Sequence, residues 1–385
     1  MIRDANIMKI VIAPDSFKGA LSSPEVCEAL KKGWLEIRPR DEVLLFPLAD
    51  GGEGTCEALV RSTGGSFLDV ETVDPLMRPV SAKCGIAGDG RRGVMELAAA
   101  SGIERVSRDE LDPLRASTYG SGIVLKTLLE KGCREILLGI GGSATVDGGA
   151  GMLQALGAVF FDADGKRIPE GIGGGTLKCI AKADWGALDP RLQMCSIKVA
   201  CDVTNPLLGS SGAAAVFGPQ KGATPEMVKI LEENLAHWEK ICGASGELPG
   251  SGAAGGVGFM LRSVLKAEIT SGAELVIALS GLDEALEGAS LLITGEGCSD
   301  GQTLCGKLPA VAAAHAAKRN VPALLCSGAV SGARREFEKV FCAVFSISNG
   351  AITLDEAIKK SAENLRHTAA SVAGIATVFE KRVRR

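Results

Sequence analysis

Residues 9–25 read KIVIAPDSFKGALSSPE. The run Lys9–Pro14 is short, apolar and rich in β-branched residues, the pattern of a buried strand. Ser22-Ser23-Pro24-Glu25 then supplies hydroxyl caps and an early proline, the signature of a helix start. That helix is expected to run to about Ile37, with Val43–Pro47 as the next strand. Asp50-Gly51-Gly52-Glu53-Gly54 opens a second helix ending near Thr63. The same rhythm returns at the C-terminus. Ser290–Thr294 is a strand, Pro309–Arg319 a helix, Ala323–Ser327 and Phe341–Ile347 strands, and Leu354–Ala373 a helix. Strands separated by helices predict a parallel, doubly wound α/β sheet.

The middle of the chain has a different pattern. Phe67–Val73, Val80–Ile86 and Gly93–Leu97 alternate as paired strands, with Asp89-Gly90 as a hairpin turn. A helix around Ser121–Lys131 and a strand at Glu135–Gly139 follow, joined by glycine-rich loops. The expected organisation is therefore discontinuous. Residues 1–70 and 281–385 form a Rossmann-like domain, and 71–280 form an inserted, more irregular α/β domain. The active site is expected in the cleft between the two, where ligands commonly bind.

Composition excludes several classes. Of 385 residues, 46% are hydrophobic and 23% charged, too apolar for a disordered chain. Forty-two basic against 46 acidic side chains leave a net charge of −4. No block of like charge suggests nucleic acid or an anionic membrane as partner. Twelve cysteines contain no C-x-x-C pair, so reduced thiols packed in the interior are expected, not disulfides or metal knuckles. The N-terminus has no signal-peptide core and no stretch suits a membrane span, which predicts a soluble, cytoplasmic protein. Glycine, at 50 residues, exceeds its usual share of roughly 7%. It clusters between apolar runs, as in turns that approach a ligand.

Several turns carry chemistry. Gly301-Gln302-Thr303-Leu304-Cys305-Gly306-Lys307 matches G-x-x-x-x-G-K between a strand and a helix, although Leu308 replaces the hydroxyl residue of a standard phosphate loop. Gly141-Gly142-Ser143 follows a strand and precedes a helix, with Asp147 close behind. Asp15–Gly19, Asp50–Gly54, Cys201–Pro206 and Gly295-Glu296 also sit at strand ends, where open α/β sheets bind ligands. Together these turns favour phosphoryl transfer from a nucleotide. Two G-x-G-x-x-G matches, at Gly88 and Gly250, lack the strand–turn–helix context of a dinucleotide fingerprint. The three histidines lie in predicted helices without metal-ligand clustering. Gly297–Gly301 matches G-x-S-x-G, which leaves a serine hydrolase built on Ser299 as a competing reading, against the required strand-to-helix elbow. A nucleotide-binding module without turnover is another.

At these residues the sequence resembles the type I glycerate kinases. The landmarks are IAPDSFKGALSS at 12–23, PLADGGEGT at 47–55, GIGGSATVDGGAGMLQALG at 139–157, CDVTNPLLG at 201–209, AAVFGPQKGA at 214–223, GAAGG at 252–256 and TGEGCSDGQTLCGKLPA at 294–310. The resemblance implies ATP- and Mg²⁺-dependent phosphorylation of D-glycerate to 2-phosphoglycerate and ADP, with a related small hydroxy acid as the alternative acceptor. Val146 stands where the family commonly has Asn, and Cys298 where it commonly has a basic residue. On this reading Asp202 and Asp300 are the catalytic carboxylates, one taking the hydroxyl proton and the other holding Mg²⁺. Asp50 and Glu53 are further metal ligands. Gly141, Gly142, Ser143, Gly295, Glu296 and Lys307 bind the phosphates of ATP. Ser16, Lys18 and Lys221 bind the glycerate carboxylate. A homo-oligomer is left open.

Overall fold

A computed structural model describes residues 7–49, 54–332, 334–350 and 352–383. The chain divides into two compact units, residues 1–50 with 273–385, and residues 51–272.

The first unit is built on a five-stranded sheet. Its order across the sheet is Ala343–Ser346, Ala323–Ser327, Leu291–Thr294, Lys9–Ile12, Glu42–Leu45, every neighbour parallel. Numbered along this unit the order is 2-1-3-4-5, the flavodoxin-like form of a doubly wound fold. Alternation along Lys9–Ile12 sends Ile10 and Ile12 into a core with Leu30, Trp34, Leu365 and Ala369, while Val11, also fully buried, faces the other way. Helix Ser23–Ile37 begins at Ser22, whose side chain and Glu25 form a reciprocal capping box. It packs on the last helix, Ser361–Val383, at Gly33, where a Cβ would overlap the Arg366 carbonyl. The expected single helix over 354–373 is two, Leu354–Lys359 and Ser361–Val383, parted at Lys360.

The strand order sets the site. Connections leave Lys9–Ile12 toward one edge and Leu291–Thr294 toward the other. The point where the connections part in this way is the place where such sheets take ligands. The loops that follow these strands start at Ala13 and Gly295.

The second unit holds a six-stranded sheet ordered Glu268–Thr270, Ser196–Ala200, Glu135–Gly139, Arg92–Glu96, Pro79–Ile86, Ser66–Val73. The first four strands are parallel and the last two antiparallel. Its core gathers Val124, Leu138, Val146, Leu153, Phe160, Val199, Trp238 and Met260. Phe160 meets the Trp238 ring edge-on at 5.4 Å, and the Trp238 indole N–H donates to the Gly148 carbonyl at 3.0 Å. Helix Thr55–Ser62 belongs to this unit, its Cys56 N–H donating to the Glu96 carboxylate at 2.8 Å. The cysteines are all free, but not all interior: Cys179, Cys298, Cys305 and Cys342 are exposed. No helix among the described residues is long and apolar enough to cross a membrane.

Candidate active site

In the first unit, two predicted turns stand together at the switch point. The Asp15 N–H donates to the Gly295 carbonyl at 2.8 Å, and the Thr294 hydroxyl to the Ala13 carbonyl at 2.7 Å. Phe17 is buried and its backbone closes a tight turn with Leu21, so Lys18 is thrust outward beside left-handed Gly19. The Lys18 ammonium and the Ser16 hydroxyl have no partner among the described residues. Gly297 passes close beneath, a Cβ there lying 3.3 Å from the Lys18 backbone nitrogen.

The loop from Gly295 to Lys307 is held by Glu296. This buried carboxylate accepts hydrogen bonds from Ser299 at 2.8 Å and Thr303 at 2.6 Å, and lies 4.0 Å from the Lys307 ammonium. Lys307 is the N-cap of helix Leu308–Ala317 and remains partly exposed. Asp300 accepts from the Gln302 N–H through Oδ1, while its Oδ2 has no hydrogen-bond partner among the described residues. Ser16, Lys18, Gly295, Glu296, Asp300 and Lys307 thus fall on adjoining loops. Glu296 differs from the others in pointing inward, where it organises the loop.

The hydrolase reading has no support here. Ser299 is fully buried, with its hydroxyl bonded to Glu296 and, at 2.7 Å, to Ser327. The chain passes from Thr294 into a short bridge at Cys298–Ser299, not a nucleophile elbow. His315 is engaged by Asp283 at 2.7 Å and Glu274 at 3.0 Å, and exposed His367 lies beside Arg366.

In the second unit, Gly141, Gly142 and Ser143 follow strand Glu135–Gly139 at the carboxyl edge of the sheet. Gly142 is left-handed at φ 68°, and the N–H groups of all three residues have no partner among the described residues. Consecutive unpaired amides in such a turn form an anion-binding nest. Asp202 follows the adjacent strand Ser196–Ala200, exposed, and accepts from the Gly272 N–H at 3.0 Å.

Lys221 is the exception among the expected site residues. It is 2% exposed, and its amine donates to the Ser143 hydroxyl and the Thr145 carbonyl, both at 2.7 Å. Burial pushes its pKa down to about 7, against the pull of nearby Asp147. Asp147 is fully buried as well; burial raises its pKa, while Thr118, Gly149 and Gly151 donate four hydrogen bonds that favour the charged form.

Thr118 and Glu96 were not anticipated. Thr118 carries no local signal, because its partner is 29 residues away. Glu96 was legible as an acidic residue at the carboxyl end of an expected strand. The GAAGG segment, a landmark of the resemblance, has an unusual backbone. Ala254, Gly255 and Gly256 are all left-handed, with φ of 51°, 68° and 91°. They let the chain press against the Thr145 carbonyl and place the Gly255 carbonyl to accept from the Gly148 N–H at 3.0 Å. Val146, in the position expected to hold an amide, is fully buried in this core.

Asp50 and Glu53 lie outside the described residues. Among the described residues no group of three or more His, Cys, Asp or Glu could hold a metal ion. Magnesium in phosphoryl-transfer sites commonly takes only one or two carboxylates, completing its shell with phosphate oxygens and water. The hard, unpaired Oδ2 of Asp300 on the loop that carries Lys307 fits that demand.

A doubly wound unit with paired loops at its switch point has the architecture of a small-ligand enzyme. The family model described as the glycerate kinase family matches residues 10–377. A glycerate 2-kinase of Escherichia coli strain K12 is 44% identical over 372 residues, covering 95% of this chain and 97% of that protein. A glycerate kinase of Bacillus subtilis strain 168 is 42% identical with the same coverage. The crystal structure of a candidate glycerate kinase 2 from Salmonella typhimurium LT2 superposes with a TM-score of 0.89 at 44% identity, covering 98% of this chain and all of that one. The chain belongs to the glycerate kinase family and is an ATP-dependent kinase.

Proposed function

We propose that this protein transfers the γ-phosphate of ATP to the 2-hydroxyl of D-glycerate, giving 2-phosphoglycerate and ADP. The observation that carries the reading is the pairing of the Ser16–Lys18 turn with the Gly295–Lys307 loop at the switch point of the first unit. A kinase for a small hydroxy acid needs a cation and hydroxyl for the acceptor's carboxylate, and a second cation near the phosphates. Lys18 with Ser16, and Lys307, supply these. The name of the Escherichia coli relative supports attack by the 2-hydroxyl.

Phosphoryl transfer asks the protein for position and charge compensation. The three unpaired amides of Gly141–Ser143 receive phosphate oxygens, and Lys307 neutralises charge at the other phosphate site. Asp202 accepts the proton of the acceptor hydroxyl. Asp300, with Asp50 and Glu53, provides oxygen ligands for Mg²⁺. Mg²⁺ held by these residues would supply positive charge to offset that developing on the phosphate oxygens.

The test is ADP release with Mg²⁺-ATP and D-glycerate, with the product identified by ³¹P NMR. Turnover to 2-phosphoglycerate is expected. Turnover with tartronate or glycolate but not D-glycerate would overturn the acceptor, and no ADP release with any hydroxy acid would overturn the reaction. Asp202→Asn should lower kcat by about 10²–10⁴-fold, and Lys18→Ala should chiefly raise KM for glycerate.

A further inference from the structure

We infer that Lys221 is a positioning residue that fixes the Gly141–Ser143 nest for phosphate, and that it does not touch the acceptor. The inference rests on the kinase reading above for the identity of the anion. Lys221 follows Pro219 in a short 3-10 turn, more than seventy residues beyond the loop it holds. Its side chain is closed off from solvent, and two of its three amine protons are committed, to the Ser143 hydroxyl and the Thr145 carbonyl. A carboxylate ligand would have to enter the core to reach it.

The two contacts bracket the end of the nest. Ser143 is pinned by its side chain and Thr145 by its carbonyl, while the Gly142 carbonyl is tied to the Ile103 N–H and the Ala144 N–H to the Ser101 carbonyl. The flanking Gly142 carbonyl, Ala144 N–H and Thr145 carbonyl are thereby held by protein, while the N–H groups of Gly141, Gly142 and Ser143 have no partner among the described residues. Gly142 in left-handed conformation has no side chain to resist collapse of the turn, so an external brace is needed to keep it open.

The arrangement is expensive for a purely structural core. Burying an amine costs stability unless it is fully paired, and burial has displaced the Lys221 pKa strongly downward. The Thr145 hydroxyl beside it is buried with no hydrogen-bond partner. A residue that weakens the core while fixing a ligand turn fits a role in binding, where unfavourable local choices concentrate.

The experiment compares the full-length protein with Lys221→Met and Ser143→Ala. Binding of MgATP and of D-glycerate is measured separately by calorimetry, thermal melting reports folding, and amide hydrogen exchange is followed in peptides covering 140–147 and, as control, 323–327. For Lys221→Met, which leaves the Thr145 carbonyl and the Ser143 hydroxyl without this partner, we expect a folded protein with a lowered melting temperature, an MgATP Kd raised at least tenfold, a D-glycerate Kd within twofold, and faster exchange in 140–147 alone. Ser143→Ala should move the same readouts in the same direction by less, and serves if Lys221→Met fails to fold. A rise in the D-glycerate Kd with MgATP binding unchanged would overturn the inference, as would unaltered exchange in 140–147. The exchange readout needs no turnover, so failure of the kinase reading is seen separately, in a wild-type protein that binds no nucleotide.

Discussion

The Thr118 hydroxyl is the best point at which to test how the second unit holds the loop around Asp147. It donates to Asp147 Oδ2 at 2.7 Å and accepts from the Met152 N–H at 2.9 Å, and both side chains are fully buried. Thr118→Val keeps the shape and removes both functions. A hydrogen bond to a charged group contributes about 1.5–3 kcal/mol, and a buried N–H left unpaired costs about 1–3 kcal/mol. Partial relaxation should bring the total to about 3 kcal/mol, or roughly a hundredfold in the unfolding equilibrium of this unit. The assay is guanidinium unfolding followed by tryptophan fluorescence in a Trp34→Phe background, since Trp185 and Trp238 lie in this unit and Trp238 is bonded to Gly148. The midpoint should fall while the slope is unchanged. Asp147→Asn should cost at least as much, because one amide oxygen cannot accept the four hydrogen bonds that converge on the carboxylate. A loss below about 1 kcal/mol for both variants would refute the reasoning that the hydrogen bonds converging on buried Asp147 stabilise this unit.

Other consequences are open to direct measurement. Lys221 has a folded pKa of about 7 against an ordinary value of 10.5. Above pH 7 the folded amine therefore sheds its proton while the unfolded one keeps it, so this group makes stability rise with pH. Measured between pH 7 and 8.5, the stability of wild type relative to Lys221→Met should rise with pH; a flat difference would contradict the burial argument. Gly295→Ala should destabilise the first unit by several kcal/mol and abolish turnover, since a Cβ there overlaps the Cys326 carbonyl and only parting of two core strands relieves it; a stable, active variant would refute that geometry. Ser299→Ala should lower the melting temperature by a few degrees yet keep kinase turnover within tenfold, with turnover lost altogether if the serine were a nucleophile.

Much of the fold was legible because its signals are local. The strand at Glu135–Gly139 and the strand at Ala323–Ser327 coincide with their apolar runs, and the helix beginning at Ser23 follows a capping box written in Ser22 and Glu25. The break at Lys360 was missed because Leu354–Ala373 keeps one apolar rhythm on both sides of it. Ser16, Lys18, Asp202 and Gly142 were candidates because they lie in polar, glycine-bearing turns after buried strands, and Lys307 because it ends a G-x-x-x-x-G-K match before a helix.

By itself the sequence determined the strand–helix rhythm, the positions of the glycine-rich turns and the family resemblance, all of which depend on residues close together in the chain. Tertiary structure decided what depends on distant partners. It placed the loops after Ile12 and Thr294 side by side, because the two strands are parallel neighbours although 278 or more residues separate them. It turned Lys221 inward onto Ser143 and Thr145, made Glu296 an organiser of its own loop, and left three amides of Gly141–Ser143 unpaired. A lysine in a turn reads the same in sequence whether it meets solvent or a carbonyl, and only packing fixes its charge, its partners and its task.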